Sequence, residues 1–139
     1  AYLAGTVSSP WAGSLASRFG RYPVLLVSIG VTASGAVLLA MPSTGLVLTG
    51  LVLFTAGFFG AHAIASGWVP TDADPAVRAQ ASSLYYFGYY AGSSLFGWIL
   101  GLVFGGLGWE WFIAGILTMC AASAAIAALA LRASHSGRV

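Results

Sequence analysis

The chain has 139 residues, of which 59% are hydrophobic and 6% charged, against roughly 25% charged in an ordinary soluble domain. Five arginines, no lysine and three acids leave a net charge of +2, too little to suggest a nucleic-acid partner. Cys120 stands alone within an Ala-rich run, which excludes a disulfide framework and a metal-type cysteine spacing and makes it a packing residue.

Charge-free runs cover residues 1–17, 22–71, 79–109 and 111–131. A bilayer-spanning helix needs about 20 apolar residues, so these runs are of spanning length, and the second is long enough to span twice. A soluble domain has no core large enough to hide four such runs in so short a chain. The fold class expected is all-α: a polytopic membrane helix bundle of about five helices.

The first helix is expected over residues 1–16, near the short limit for a span, with Pro10 kinking it and Ser8, Ser9, Gly13 and Ser14 offering small packing surfaces. A basic, Gly-punctuated turn follows, carrying Arg18 and Arg21. The second helix runs over 23–41, with Pro23 in its first turn, and stops at Pro42, Ser43, Thr44 and Gly45. The third covers 45–69 and ends before Pro70. Residues 70–75 are the most polar segment, a loop closed by Asp74 as N-cap and Pro75 at the first helical position. The fourth helix, 76–104, is rich in Gly and Tyr and breaks at Gly105, Gly106, Leu107 and Gly108. The fifth covers 109–131, and a polar tail, 132–139, closes the chain.

Alternating the spans places Arg18, Arg21, Arg78, Arg132 and Arg138 on one side of the membrane. Five charges assigned blindly would segregate this completely about once in sixteen times, and the excess of arginine makes that side the cytoplasm. The C-terminus is then cytoplasmic. Trp68 near that side, and Trp109 and Trp111 near the other, suit interfacial aromatic belts.

His62 is the only ionisable group deep within a predicted span, and such groups mark substrate or proton paths. It lies roughly 10 Å inside the cytoplasmic end, at a depth comparable to Tyr85 and Tyr86. On the fourth helix Tyr85, Tyr86, Tyr89 and Tyr90 form two i,i+4 pairs. A phenol in lipid needs a hydrogen-bond partner or water, so His62, Tyr85, Tyr86 and Tyr89 are the candidates for lining one polar cavity. A neutral structural histidine and a tyrosine packing seam are the competing readings. Gly88, Gly92, Gly97, Gly101 and Gly105 make a small-residue stripe on the same helix, for rocking contact between bundles or for ordinary packing.

Neither catalysis nor a metal finds support. One histidine lies in the membrane region, Asp72 and Asp74 read as helix-start acids, and no serine sits in a nucleophile elbow. No catalytic residue, metal ligand or cofactor is therefore assigned.

The turn after the first helix, with Gly13, Leu15, Ala16, Arg18, Gly20 and Arg21, resembles the Gly-x-Leu-Ala-Asp-Arg-x-Gly-Arg-Arg loop of major facilitator transporters, with Ser17 in place of the usual Asp. Pro75, Arg78, Ala81, Ser83, Leu84 and Tyr85, then Gly88, Gly92 and Gly97, then Gly108 and Trp109, are similar to the eleventh-helix region of sugar or drug exporters of that family. The resemblance implies that the five helices are the eighth to twelfth of twelve, an incomplete C-terminal half lacking the seventh helix and the N-terminal half. It implies that the third helix lines the central cavity and that the first and fourth meet the other half. The second and fifth are then outer supports. It casts Gly13, Ser17, Arg18, Gly20 and Arg21 as a cytoplasmic gate loop. Ser17 weakens that gate, because a neutral hydroxyl replaces the charge-assisted partner an Asp would be.

The starting residue is Ala with no basic segment before the apolar run, so the expectation is a fragment of a longer chain. The function expected is secondary active, alternating-access transport with efflux of a small organic solute or drug across a bacterial-type inner membrane. The expected partners are that solute, membrane lipid and the missing N-terminal half. A small self-assembling membrane protein and a non-functional transporter remnant are the other readings.

Overall fold

A computed structural model of the chain describes residues 2–136, with side chains placed for residues 3–130. It is helical throughout: α1 (Tyr2–Phe19), α2 (Arg21–Leu39), α3 (Thr44–Asp72), a 3-10 turn (Pro75–Val77), α4 (Arg78–Leu107) and α5 (Trp109–Ser136). At 1.5 Å per residue α3, α4 and α5 each reach roughly 40 Å, more than the hydrocarbon thickness of a bilayer. Among the described residues the helices long and apolar enough to cross a membrane are α2, α3, α4 and α5. The shorter α1, interrupted by serines, Pro10 and Arg18, falls outside that set. The chain is an all-α, multi-pass membrane bundle.

Its surface has the reverse polarity of a soluble domain. The buried apolar residues described are Ala12, Val24, Ala36, Ile64 and Ile113, whereas Leu3, Leu84 and Ile126 are 82%, 70% and 69% exposed. Side chains of that kind need lipid or a partner helix against them.

The joints are tighter than the sequence suggests. The turn carrying both arginines contracts to Gly20 alone, at φ 88°, in the region that favours glycine. Gly20 N–H donates to Ala16 O at 3.0 Å and closes α1. Gly108, at φ 91°, makes the same kind of joint between α4 and α5, so α4 continues past 104 to Leu107. Asp74 caps as expected, its Oδ1 accepting from Ala76 N–H at 2.8 Å.

Other expected boundaries are corrected: α1 runs to Phe19 rather than 16, α2 covers Arg21–Leu39 rather than 23–41, and α4 opens at Arg78 rather than 76. The third helix does not end before Pro70 but runs through it to Asp72. Pro70 lies in the last turn of α3, where it forfeits the one bond its own N–H would have made to Ser66 O. Thr71 Oγ1 donates there to Gly67 O at 3.0 Å and Trp68 O at 2.8 Å. The fifth helix runs on to Ser136, so the start of the expected tail is helical. Residues 137–139, with Arg138, and the side chain of Arg132 lie outside the described residues.

Packing is closest between α2 and α3. A Cβ on Gly35 would fall on the Phe54 backbone and within 2.7 Å of Gly50 O, and one on Gly57 would come within 2.6 Å of Ser28 O. Ala36 is fully buried in this seam, and Ser28 and Thr32 are buried beside it. Their hydroxyls donate back to Val24 O and Ser28 O at 2.8 and 2.9 Å, which satisfies them inside α2. The first helix packs on α3 through Ala12, in a cluster with Val24 and Ile64. The remaining contacts close a ring in which α3 touches α4, α4 touches α5 and α5 touches α2, while the diagonals α2 with α4 and α3 with α5 do not meet.

This seam generates a test. Gly35→Ala should destabilise the bundle by about 1–3 kcal/mol through overpacking. Gly30→Ala on the same helix, with nothing within 4 Å of its Cβ, should be neutral or slightly stabilising. Thermal unfolding of the full-length protein in detergent checks this, and equal midpoints for the two variants would contradict the seam.

Candidate functional site

His62 belongs to α3 and lies one helical turn after Phe58, while Tyr85 and Tyr89 are one turn apart on α4. The two faces meet. Tyr85 O–H lies 3.0 Å from His62 Nδ1 and donates to it in the tautomer that carries its proton on Nε2. The imidazole is stacked on Phe58, with centroids 6.2 Å apart, and sits 4.6 Å from the Tyr89 ring and 5.8 Å from the Tyr85 ring. Rings so arranged face one another, and the histidine is the centre of the cluster.

The cluster opens on a cavity of about 740 Å³ inside the ring of helices. Its walls are Leu25 and Thr32 from α2, Phe54 and Phe58 from α3, Leu100 from α4, and Ile116 and Met119 from α5. Among the described residues no Asp, Glu, Lys or Arg lines it. His62, Tyr85 and Tyr89 all line it, which brings three of the four cavity candidates together. Tyr86 stands outside the lining, 45% exposed, with its ring 6.5 Å from the imidazole. The cavity also draws on α2 and α5, the helices that the resemblance casts as outer supports. Sequence reasoning missed those walls because Leu, Ile and Met residues facing a hollow are indistinguishable in sequence from those facing lipid. Cys120, read as a packing residue, lines the same hollow.

At the end carrying the arginines, Arg21 Nη1 lies 3.2 Å from Asp72 Oδ1, joining the start of α2 to the end of α3. Trp68 Nε1–H donates to the other carboxylate oxygen, and the Arg21 guanidinium sits 5.7 Å above the Trp68 ring. Tyr22 meets Trp68 edge to face at 4.4 Å. Asp72, read from sequence as a helix-start acid, is therefore the acceptor of a clasp at the end of α3. The remaining gate residues stand apart from it. Arg18 is exposed in the last turn of α1, Ser17 Oγ donates to Ser14 O at 2.7 Å within its own helix, and nothing lies within 4 Å of a Cβ on Gly13.

Among the described residues the glycines of α4 meet no neighbour. Nothing lies within 4 Å of a Cβ on Gly88, Gly92, Gly97 or Gly101, and α4 has no buried residue among those described. At the opposite end of the bundle Trp109 Nε1–H donates to Leu39 O at 3.0 Å, fastening the start of α5 to the last turn of α2. That bond was legible only in outline, since a helix C-terminus leaves carbonyls in need of a donor. Among the described residues no group of His, Cys, Asp or Glu is arranged to hold a metal ion.

Fold and site together define a multi-pass membrane protein with a ligand-sized hollow among its helices. The chain belongs to the Major Facilitator Superfamily, whose family profile matches residues 1–139. It is similar to the uncharacterized MFS-type transporter YybF of Bacillus subtilis, at 42% identity over 77% of this chain and 26% of that protein. It is similar to the inner membrane transport protein YnfM of Escherichia coli, at 42% identity over 79% of this chain and 26% of that protein. A class B tetracycline resistance protein of Escherichia coli is 32% identical over 84% of this chain and 29% of its own length. The chain thus spans about a quarter of the length of these curated relatives. No solved structure matches it.

The clasp predicts unequal effects. Both Arg21 and Asp72 are exposed, so Asp72→Asn should cost no more than about 1 kcal/mol. Trp68→Leu loses the indole bond, the Tyr22 edge contact and packing on the Ala12, Val24 and Ile64 cluster, and should cost about 2 kcal/mol or more. Detergent unfolding midpoints rank the two, and a larger loss for Asp72→Asn would reverse the assignment.

Proposed function

We propose that this chain is part of the C-terminal half of a secondary active transporter that works by alternating access and exports a small organic solute or drug. The observation that carries the reading is the largely apolar cavity with its His62–Tyr85 pair, inside a chain of the Major Facilitator Superfamily. A hollow of about 740 Å³ suits a drug-sized molecule. Similarity to a protein named for tetracycline resistance supports the direction of transport. The chain's role is to bind and gate, with no chemical step on the solute.

The remaining three-quarters of such a transporter supplies the N-terminal half, which docks on the open glycine face of α4 and on Gly13 of α1. Arg18 and Arg21, with Gly20 as the joint between them, form the cytoplasmic gate loop, and α5 delivers the C-terminus to the cytoplasm. The clasp of Arg21 with Asp72 and Trp68 then holds the cytoplasmic ends of α2 and α3 together while the halves rock.

His62→Ala in the full-length protein should lower solute transport roughly fivefold, the equivalent of about one hydrogen bond, with membrane insertion unchanged. Tyr85→Phe, which removes the same bond and keeps the ring, should fall in between. Efflux from everted vesicles together with quantification in the membrane fraction measures both. Unchanged transport in His62→Ala would reduce the histidine to a structural residue.

A further inference from the structure

We infer that Asp72 is a positioning residue for the hollow: through its bond to the Trp68 indole it sets the wall at the arginine-bearing end. The inference deepens the transporter reading, and rests on it only for what an altered wall would mean. Two rings belong to two structures at once. Trp68 and Tyr22, which make the clasp with Arg21 and Asp72, also line the cavity. On α3 the lining residues Phe58, Ala61, His62, Ala65 and Trp68 recur at helical spacing, and Trp68 is the last of them towards that end.

The contacts that hold the indole differ in kind. The Tyr22 edge at 4.4 Å and the packing on Ala12, Val24 and Ile64 are apolar contacts, which tolerate a turn of the ring. The Arg21 guanidinium, 5.7 Å from the ring centre, acts on its face. Among these contacts the bond from Nε1–H to Asp72 Oδ2 is the directional one, and an indole has that single donor to give. With the bond made, one edge of the ring is turned to the carboxylate.

Backbone geometry puts the acceptor there. Asp72 lies four residues after Trp68, and the two side chains share a face because α3 continues through Pro70. A helix ending at 69 would not set the carboxylate on that face. Asp72 also accepts from Arg21 Nη1 at 3.2 Å on its other oxygen, so the ion pair holds the carboxylate that holds the ring. The order of action is Arg21 on Asp72, Asp72 on Trp68, and Trp68 on the wall.

The experiment places a thiol on the same wall with Ala65→Cys in the full-length protein in detergent. Ala65 lines the hollow about one turn before Trp68. Alkylation of the introduced thiol by N-ethylmaleimide is followed, with the adduct located by peptide mass spectrometry. A hydrogen bond of ordinary net strength favours one orientation of the ring by about threefold or more, so Asp72→Ala should raise the alkylation rate at least about threefold. Asp72→Glu, which keeps a carboxylate, should restore most of the original rate. Arg21→Gln, which removes the ion pair and leaves the indole its acceptor, should raise the rate less than Asp72→Ala. Trp68→Phe should also raise it, and adding Asp72→Ala to that variant should change nothing further, since Asp72 acts through the indole. A second readout needs no thiol. With isotope-labelled tryptophan, the indole N–H resonance that Trp68→Phe removes should shift in Asp72→Ala and shift less in Arg21→Gln.

An alkylation rate unchanged by Asp72→Ala, an effect that adds to that of Trp68→Phe, or an Arg21→Gln effect as large as that of Asp72→Ala would each overturn the inference. So would an indole resonance that does not respond to Asp72→Ala, and so would a thiol at position 65 that no variant makes more reactive. Neither readout uses a transported solute, so a full-length protein that fails to transport would count against the transporter reading and leave this result standing.

Discussion

The most extensive helix pairing among the described residues, α2 with α3, brings two backbones close together. In lipid, burying apolar side chains against one another gains little over leaving them in acyl chains, so helices associate through close packing of small residues. Gly35, Gly50 and Gly57 allow α2 and α3 to approach until no Cβ would fit between them. Ser28 and Thr32 can be buried there because their hydroxyls return to carbonyls of their own helix. Everything else is arranged around this pair. The first helix lies along α3, α5 leans on α2, and α4 is held by α3 and α5 with its other side open.

Polar bonds between helices fasten the bundle at three levels. Arg21, Asp72 and Trp68 join α2 to α3 at one end, Trp109 joins α5 to α2 at the other, and Tyr85 joins α4 to α3 between them. The end bonds lie where water or headgroups share the work, so each stabilises the fold modestly. The Tyr85 bond to His62 lies among apolar walls, where an unpaired phenol or imidazole would be costly. It ties α4 to α3 at the lining of the hollow.

The chain belongs to the Major Facilitator Superfamily and spans about a quarter of its relatives' length. Among the described residues nothing lies within 4 Å of a Cβ on the glycines of α4, and Leu84, Phe87 and Tyr90 on the same helix are exposed. The His62 cluster lies on the opposite, inward side of the same helix. On its inward side that helix lines the hollow and is tied to α3 by the Tyr85 bond.

The amino-acid sequence by itself determined that the chain is helical, how many helices it has and where most of them turn. Charge is so scarce that arginines and acids can only mark the ends of spans, and Gly20, Gly108 and Asp74 act through local backbone geometry that neighbours in sequence specify. The proximity of His62 to the tyrosines was also legible, because both lie at one depth on consecutive helices. Only the tertiary structure decided which glycines pack. Gly30 and Gly35 lie on one helix with like surroundings in sequence, yet one is open and the other meets a backbone. It also decided that α3 continues through Pro70, and that α2 and α5 wall the cavity. The physical reason is common to all three: protein, lipid and hollow are alike apolar, so hydrophobic pattern does not distinguish them, and only the positions of the other helices do.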